Sequence, residues 1–166
     1  MNNLERPLPV FFGNHKCAST FILNVLQRIS RELGLNYYTP YWHDDNVTDK
    51  SSLYQVPDGT DIMLFPESNL EKIKYLPKSF KGFHLRRDPR DIIVSAYFSH
   101  KYSHSTKNAP KLQEHRKKLS SCNKEEGIKL EIAYSELYLP NLLNWDYSDP
   151  RILELSFEEL IADTSG

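Results

Sequence analysis

Apolar and polar positions follow two periods along this chain, and each change of period marks an element. Pro9-Val10-Phe11-Phe12 is a short apolar run of β-leaning composition, the length of a buried strand. Gly13 interrupts it, and from about Thr20 apolar residues recur at Phe21, Val25, Ile29 and Leu33, with Ile22 and Leu26 beside them. That spacing predicts a helix with one apolar stripe, and Gly34 is placed to cap its end. Residues 35–39, 61–65 and 81–85 read as three further strands. The last runs directly into Arg86-Arg87-Asp88-Pro89-Arg90-Asp91, which carries a helix start. Asp88 is its N-cap, Pro89 takes the first helical position and Asp91 the third. The helix would hold Ile92, Ile93, Ala96 and Tyr97 inward.

Residues 101–119 are polar and basic, with Lys107, Lys111, Arg116, Lys117 and Lys118. They read either as a solvated loop and helix face or as a mobile lid that attracts an acidic substrate or cofactor. His100 and His104 are expected at the surface of that segment, whereas His84, inside an apolar strand pattern, is expected in the core. A helix over residues 124–139 would bury Ile128, Ile132 and Leu139, with Pro140 stopping or kinking it. Residues 151–157 form a fifth strand, and a helix starts over residues 158–162. Strands alternating with helices predict an α/β fold: three layers, with a mainly parallel sheet flanked by helices, as in the phosphate-loop nucleotide hydrolases. No repeat, low-complexity tract or break in composition divides the chain, so a single domain over residues 1–166 is expected.

Composition narrows the function classes. Charged residues make up 26% and aromatics 12%, as in a soluble globular protein. A formal net charge of -1 argues against a general nucleic-acid partner. Cys17 and Cys122 make no disulfide framework, and no apolar run approaches the ~20 residues of a membrane span. The start has no apolar signal-peptide region, so a cytoplasmic location with no membrane partner is the expectation.

The chemistry is concentrated in a few segments. Strand, tight loop and helix over residues 9–33 aim free backbone N–H groups and a helix's positive end at an anion. The loop nearly fits the phosphate-loop pattern G-x-x-x-x-G-K-[ST]. Gly13 supplies the first glycine, Ala18 replaces the second, and Ser19-Thr20 supply the hydroxyls. The lysine, Lys16, enters early, which suits a group attached to a 5′-phosphate better than a β,γ-phosphate pair with magnesium. Ligands of parallel sheets sit beyond the carboxyl ends of the strands. There this loop, residues 86–95 and the loop at Glu67 converge. Arg87, with Ser95 about two helical turns on, could hold a second phosphate. Two separated phosphate sites joined by an aromatic are what an adenosine 3′,5′-bisphosphate (PAP) core requires.

These residues resemble a known family. His15-Lys16-Cys17-Ala18-Ser19-Thr20-Phe21 is similar to the Pro-Lys-x-Gly-Thr-Thr-Trp loop of sulfotransferases that use 3′-phosphoadenosine 5′-phosphosulfate (PAPS). Arg87-Asp88-Pro89-Arg90-Asp91-Ile92-Ile93-Val94-Ser95 resembles their Arg-Asn-Pro-x-Asp-x-x-x-Ser segment, and Ser156-Phe157-Glu158-Glu159-Leu160 their Tyr-Glu-Asp-Leu element. The resemblance implies that Lys16 contacts the bridging oxygen and 5′-phosphate and stabilises charge on the leaving group. It implies that the backbone amides of Cys17, Ala18, Ser19 and Thr20, with the Ser19 and Thr20 hydroxyls, cradle the 5′-phosphosulfate beside His15. It implies that Phe21 and Phe157 approach adenine and that Arg87 and Ser95 bind the 3′-phosphate. The reaction implied is in-line transfer of a sulfuryl group to an acceptor hydroxyl or amine, with PAP as product and no metal. The absence of a Cys/His cluster at zinc spacing agrees with that.

The sequence also departs from the family. His15 and Ala18 replace the usual proline and glycine. Where many members carry a histidine base after the third strand, this chain has Phe65-Pro66-Glu67-Ser68, so Glu67 is the first candidate base and His43 the second. The basic, glycine-containing loop that completes the family's 3′-phosphate site has no counterpart up to Gly166, which predicts a fragment or a shortened relative. The acceptor, a small molecule or a glycan, is not legible; Tyr37, Tyr38, Tyr41 and Trp42 suit an aromatic pocket as well as they suit packing. Two alternatives remain: a PAP-binding remnant without transfer, and a phosphate-loop kinase, which would need lysine at position 18.

Overall fold

The computed structural model describes residues 6–40, 56–68, 73–74 and 76–162. His43, Tyr41 and Trp42 lie outside the described residues. The chain divides into two compact units, Met1–Arg86 with Asn141–Gly166, and Arg87–Pro140.

The first unit holds the sheet. Strands β1 (Leu8–Phe12), β2 (Tyr37–Tyr38), β3 (Ile62–Phe65), β4 (Phe80–Arg86) and β5 (Ile152–Ser156) pair in the order β2-β3-β1-β4-β5. Every pairing is parallel, with Phe12 level with Phe65 on one side and with His84 on the other. All five carboxyl ends therefore reach one edge. β1 is central, and Phe11 and Phe12 are both fully buried although they point to opposite faces. That is the signature of a strand covered on both sides, and it explains the continuous apolar run. Phe12 stacks on Phe65 at 5.7 Å between ring centres and meets Trp145 at 5.3 Å, within a cluster that includes Val10, Met63, Phe80 and Ile152.

The second strand is shorter than residues 35–39: Leu35 is taken up by the end of helix α1 (Ser19–Glu32), and Asn36 bonds to Asp61 and Ile62 at the start of β3. Leu35 N–H donates to Ser30 O at 2.8 Å and Gly34 N–H to Arg31 O at 3.3 Å, while Gly34 takes φ 66°. These two bonds form a Schellman cap, so the glycine does what its position predicts. The apolar stripe of α1 lies on its open side: Phe21 and Leu33 are each 67% exposed. Periodicity sets which residues share a face, not whether that face is covered.

The second unit is helical, with α2 (Pro89–Phe98), a π-turn (Ser99–Ser103), α3 (Pro110–Ser120), α4 (Lys124–Tyr134) and a 3-10 turn (Ser135–Leu137). Asp88 caps α2 as expected, accepting from Arg90 N–H at 2.8 Å, and Ile92, Ala96 and Tyr97 are buried. The basic segment is mostly α3, with Lys111, Lys117 and Lys118 exposed and Leu112, His115 and Leu119 buried. It is the solvated helix face of the two readings.

The single helix over residues 124–139 is corrected. α4 ends at Tyr134, and α5 (Leu139–Leu143) contains Pro140 instead of stopping before it. Proline is tolerated there because the first helical turn has no N–H acceptor to satisfy. Ile132 is 52% exposed, and the buried positions of α4 are Gly127 and Glu131. A polar partner set, described below, draws Glu131 inward and rotates Ile132 out. The last helix, α6 (Phe157–Ala162), follows β5 directly and takes Phe157 as its first residue.

Candidate functional site

In the sheet unit, β1 delivers the chain into residues 13–18 and α1 receives it at Ser19. Gly13 is clamped: its N–H donates to Phe65 O at 2.7 Å, and its carbonyl accepts from both the N–H and the hydroxyl of Ser68 at 2.8 Å. A Cβ there would stand 2.7 Å from Pro66 O and from Ser19 Oγ, so only glycine fits. Lys16 and Ala18 take φ 60° and 58°. Left-handed residues spaced in this way gather successive N–H groups into a concave nest, the geometry of phosphate-binding loops. Ala18 adopts a left-handed conformation that favours glycine, and it does so with a Cβ. No side chain caps α1 and no acid lies in its first turn.

The loop also holds itself. Asn14 O accepts from Cys17 N–H at 3.2 Å and from the Ser19 hydroxyl at 2.6 Å. The Ser19 proton is thus engaged within the loop, whereas Thr20 is exposed on the first turn. Cys17 is fully buried, as a small filler would be. Phe21, 67% exposed, is not a core residue. His15 Nδ1 lies 3.5 Å from Glu67 Oε1, and the Glu67 side chain is 53% exposed. The structure therefore brings His15 and Glu67 together, with Ser68 fastening the Glu67 loop to Gly13.

Behind the loop lies a network with no signature in the sequence spacing. The side-chain N–H₂ of buried Asn14 donates to His84 Nε2, which sits 70 positions away. His84 Nδ1 meets Glu154 Oε2 at 2.6 Å, and Trp145 Nε1 donates to Glu154 Oε1 at 2.9 Å. The His84 ring stacks on Trp145 at 4.1 Å. With Asn14 donating to Nε2, the imidazole proton belongs on Nδ1. His84 is the satisfied core histidine that its apolar surroundings suggest, but its partners came from distant strands.

Arg87 and Ser95 belong to the helical unit, Arg87 just before the Asp88 cap and Ser95 on α2, both half-buried. Asp88 pairs with Arg90, Nη2 to Oδ2 at 2.6 Å. Hydrogen bonds from the Arg90 side chain, then from its backbone, bring the Asp88 carboxyl down to about 2. Phe157 is half-buried at the start of α6.

A further expectation is overturned in the helical unit. His100 is 2% exposed, not a surface residue, and its Nδ1 lies 3.0 Å from Glu131 Oε1. His115 Nε2 lies 2.8 Å from Glu131 Oε2, and Tyr138 donates its hydroxyl to Oε1 at 2.9 Å. Burial pushes the Glu131 carboxyl up, but the bonds from His100 and His115 outweigh it and hold the carboxyl below its ordinary range. Burial and the neighbouring Glu131 charge push the Tyr138 phenol up. The polar composition of residues 101–119 hid this buried cluster.

No protein-family profile matches the chain, and no curated protein matches it. Among solved structures it is similar to mouse sulfotransferase SULT7A1 complexed with PAP, with a TM-score of 0.55 and 18% identity over 96% of this chain. The match spans 55% of that longer chain. The likeness shows the fold: a parallel α/β sheet of the sulfotransferase, phosphate-loop-like kind.

Proposed function

We propose that this chain is a PAPS-dependent sulfotransferase domain that binds PAPS as co-substrate and releases PAP. The observation that supports this best is the loop over residues 13–18: a nest with left-handed Lys16 and Ala18, opening onto an uncapped 14-residue helix. The neighbour was solved with PAP, and the nucleotide is carried to this chain as part of the proposal.

PAPS would supply an activated sulfuryl group on its 5′-phosphate. The backbone N–H groups of Ala18, Ser19 and Thr20 hold that phosphate, with the Thr20 hydroxyl and His15 at the rim, while the Cys17 N–H, bonded to Asn14 O, holds the loop in shape. Lys16 places its ammonium where charge gathers as the bond from sulfur to the phosphate oxygen breaks. Glu67 takes the proton from the attacking hydroxyl or amine, and His43 is the second candidate for that role. Arg87 and Ser95 hold the 3′-phosphate, while Phe21 and Phe157 offer ring faces to adenine. No residue is assigned to a metal in this reaction. The acceptor is a small molecule or a glycan, and nucleic acid and membrane are not partners. A cytoplasmic location and a single domain belong to the same reading; among the described residues no helix is long and apolar enough to cross a membrane.

Calorimetric titration of the chain with PAP, with ATP plus magnesium as comparison, tests the reading. Saturable binding of PAP with little response to ATP is expected, and preference for ATP would move the chain to the kinases. Because the match spans 55% of the neighbour, transfer is assayed separately, with radiolabelled PAPS and a panel of phenols, amines and sugars. PAP binding without transfer would favour the alternative of a binding module, and absence of both in a folded chain would overturn the proposal.

A further inference from the structure

The cluster around Glu131 lies wholly in the helical unit and takes no part in the proposed transfer. Its carboxylate is fully buried, and a buried anion between neutral imidazoles carries a charge that is costly unless a cation compensates it. Two compensations are chemically available, a proton on one imidazole or a metal ion shared by all three groups. The donor set, two imidazole nitrogens and one carboxylate, is that of a zinc-type site.

Geometry favours a shared ion. His100 presents Nδ1 and His115 presents Nε2, from the π-turn and from α3, and both converge on Glu131 of α4. The candidate ligand atoms of the three side chains all lie within 4.8 Å of one another. Ligands about 2.0–2.2 Å from a tetrahedral ion stand roughly 3.4 Å apart, so the observed separations of 3.0 and 2.8 Å need only open slightly. Both rings pack on Tyr134, His115 stacked at 3.9 Å and His100 edge-on at 5.6 Å, and the Arg116 side chain fixes the His100 backbone by donating to its carbonyl at 2.5 Å. Tyr138 donates to the carboxylate from outside the triad, the place of an outer-shell partner that orients a ligand. Finally, His100 sits in a π-turn, a widened helical turn that recurs at functional sites.

We infer that His100, His115 and Glu131 form a structural binding site for one divalent transition-metal ion, of which zinc is the representative. The ion replaces the imidazole protons that face the carboxylate and ties the π-turn, α3 and α4 together. This inference stands whether or not the chain transfers sulfate.

The test uses the whole chain, stripped with EDTA and dialysed. Titration with zinc chloride at neutral pH is expected to show one tight equivalent, release of protons and a higher melting temperature. His115→Gln should abolish that equivalent, whereas Cys122→Ser should keep it. Cobalt(II) added to the unsubstituted chain should give the visible absorption of an ion bound by nitrogen and oxygen, with water completing the coordination of the three side chains, a readout that does not require a variant to fold. The inference is overturned by an unsubstituted chain that binds no stoichiometric zinc, or by stoichiometric binding that survives His115→Gln. Proton resonances at His100 Nδ1 and His115 Nε2 themselves that persist with zinc present would also overturn it, since those protons would then hold the cluster together, whereas the opposite ring nitrogens keep their N–H in a metal-bound imidazole.

Discussion

Glu154→Leu probes the network behind the loop. The substitution keeps an apolar side chain of similar size on β5 but removes both acceptors that Glu154 offers. Trp145 Nε1, in a residue only 4% exposed, then loses its 2.9 Å bond, and fully buried His84 loses its partner at Nδ1. A buried donor left without an acceptor costs about 1–3 kcal/mol. His84 could shift its proton to Nε2, but there it meets the Asn14 N–H₂ group. Asn14 would have to turn over and give up its 3.4 Å bond to Leu85 O. Trp145 has no such freedom. We therefore expect a loss of about 2–4 kcal/mol from the two orphaned donors.

Glu154→Gln should cost less, about 1 kcal/mol, since its carbonyl can still serve Trp145 while its N–H₂ meets a tautomer-shifted His84, leaving as the cost the turning over of Asn14 and its lost bond to Leu85 O. Urea denaturation followed by circular dichroism and tryptophan fluorescence measures both. With a slope of about 1–3 kcal/mol/M, the Leu variant should lower the midpoint by roughly 1–2 M at unchanged slope. A Leu variant within about 0.5 kcal/mol of the original chain, or a Gln variant as costly as the Leu variant, would refute the assignment of donors and acceptors.

Other expectations follow from single positions. Gly13→Ala pushes a methyl to 2.7 Å from Pro66 O and should destabilise by about 1–3 kcal/mol and weaken PAP binding, both measured on the same preparation; unchanged melting would contradict the clamp. Lys16→Ala should lower turnover by about 10²–10³ with a smaller effect on PAP affinity, and near-normal turnover would remove Lys16 from its assigned role. Arg87→Ala should erase the preference for PAP over adenosine 5′-phosphate, as read by calorimetry. In Arg90→Ala, loss of the side-chain bonds should raise the Asp88 midpoint, followed by NMR, from about 2 part of the way to 3.8. Because the folded value is the lower one, Asp88 contributes its full stability above 3.8 and loses it as pH falls toward 2. An unmoved midpoint would show that the backbone bond alone depresses it.

Local chemistry was legible in the chain itself. The continuous apolar run of β1, the Gly34 cap and the Asp88-Pro89 helix start each depend on residues within one turn of one another. Sequence patterns report that range directly. The loop could be located by the same means, because Gly13, Lys16, Ala18, Ser19 and Thr20 are neighbours. Three other features were decided only by folding. The stripe of α1 could be drawn from its spacing, but its exposure depends on what packs above it. Asn14, His84, Trp145 and Glu154 meet only because β1, β4 and β5 lie side by side in a parallel sheet, and such pairing joins residues 70 positions apart. Pattern and composition place His100 and Ile132 on the wrong sides for a related reason. Periodicity counts polar residues as surface, yet a carboxylate met by two imidazoles and a phenol can be buried, and its burial rotates the helix that carries it.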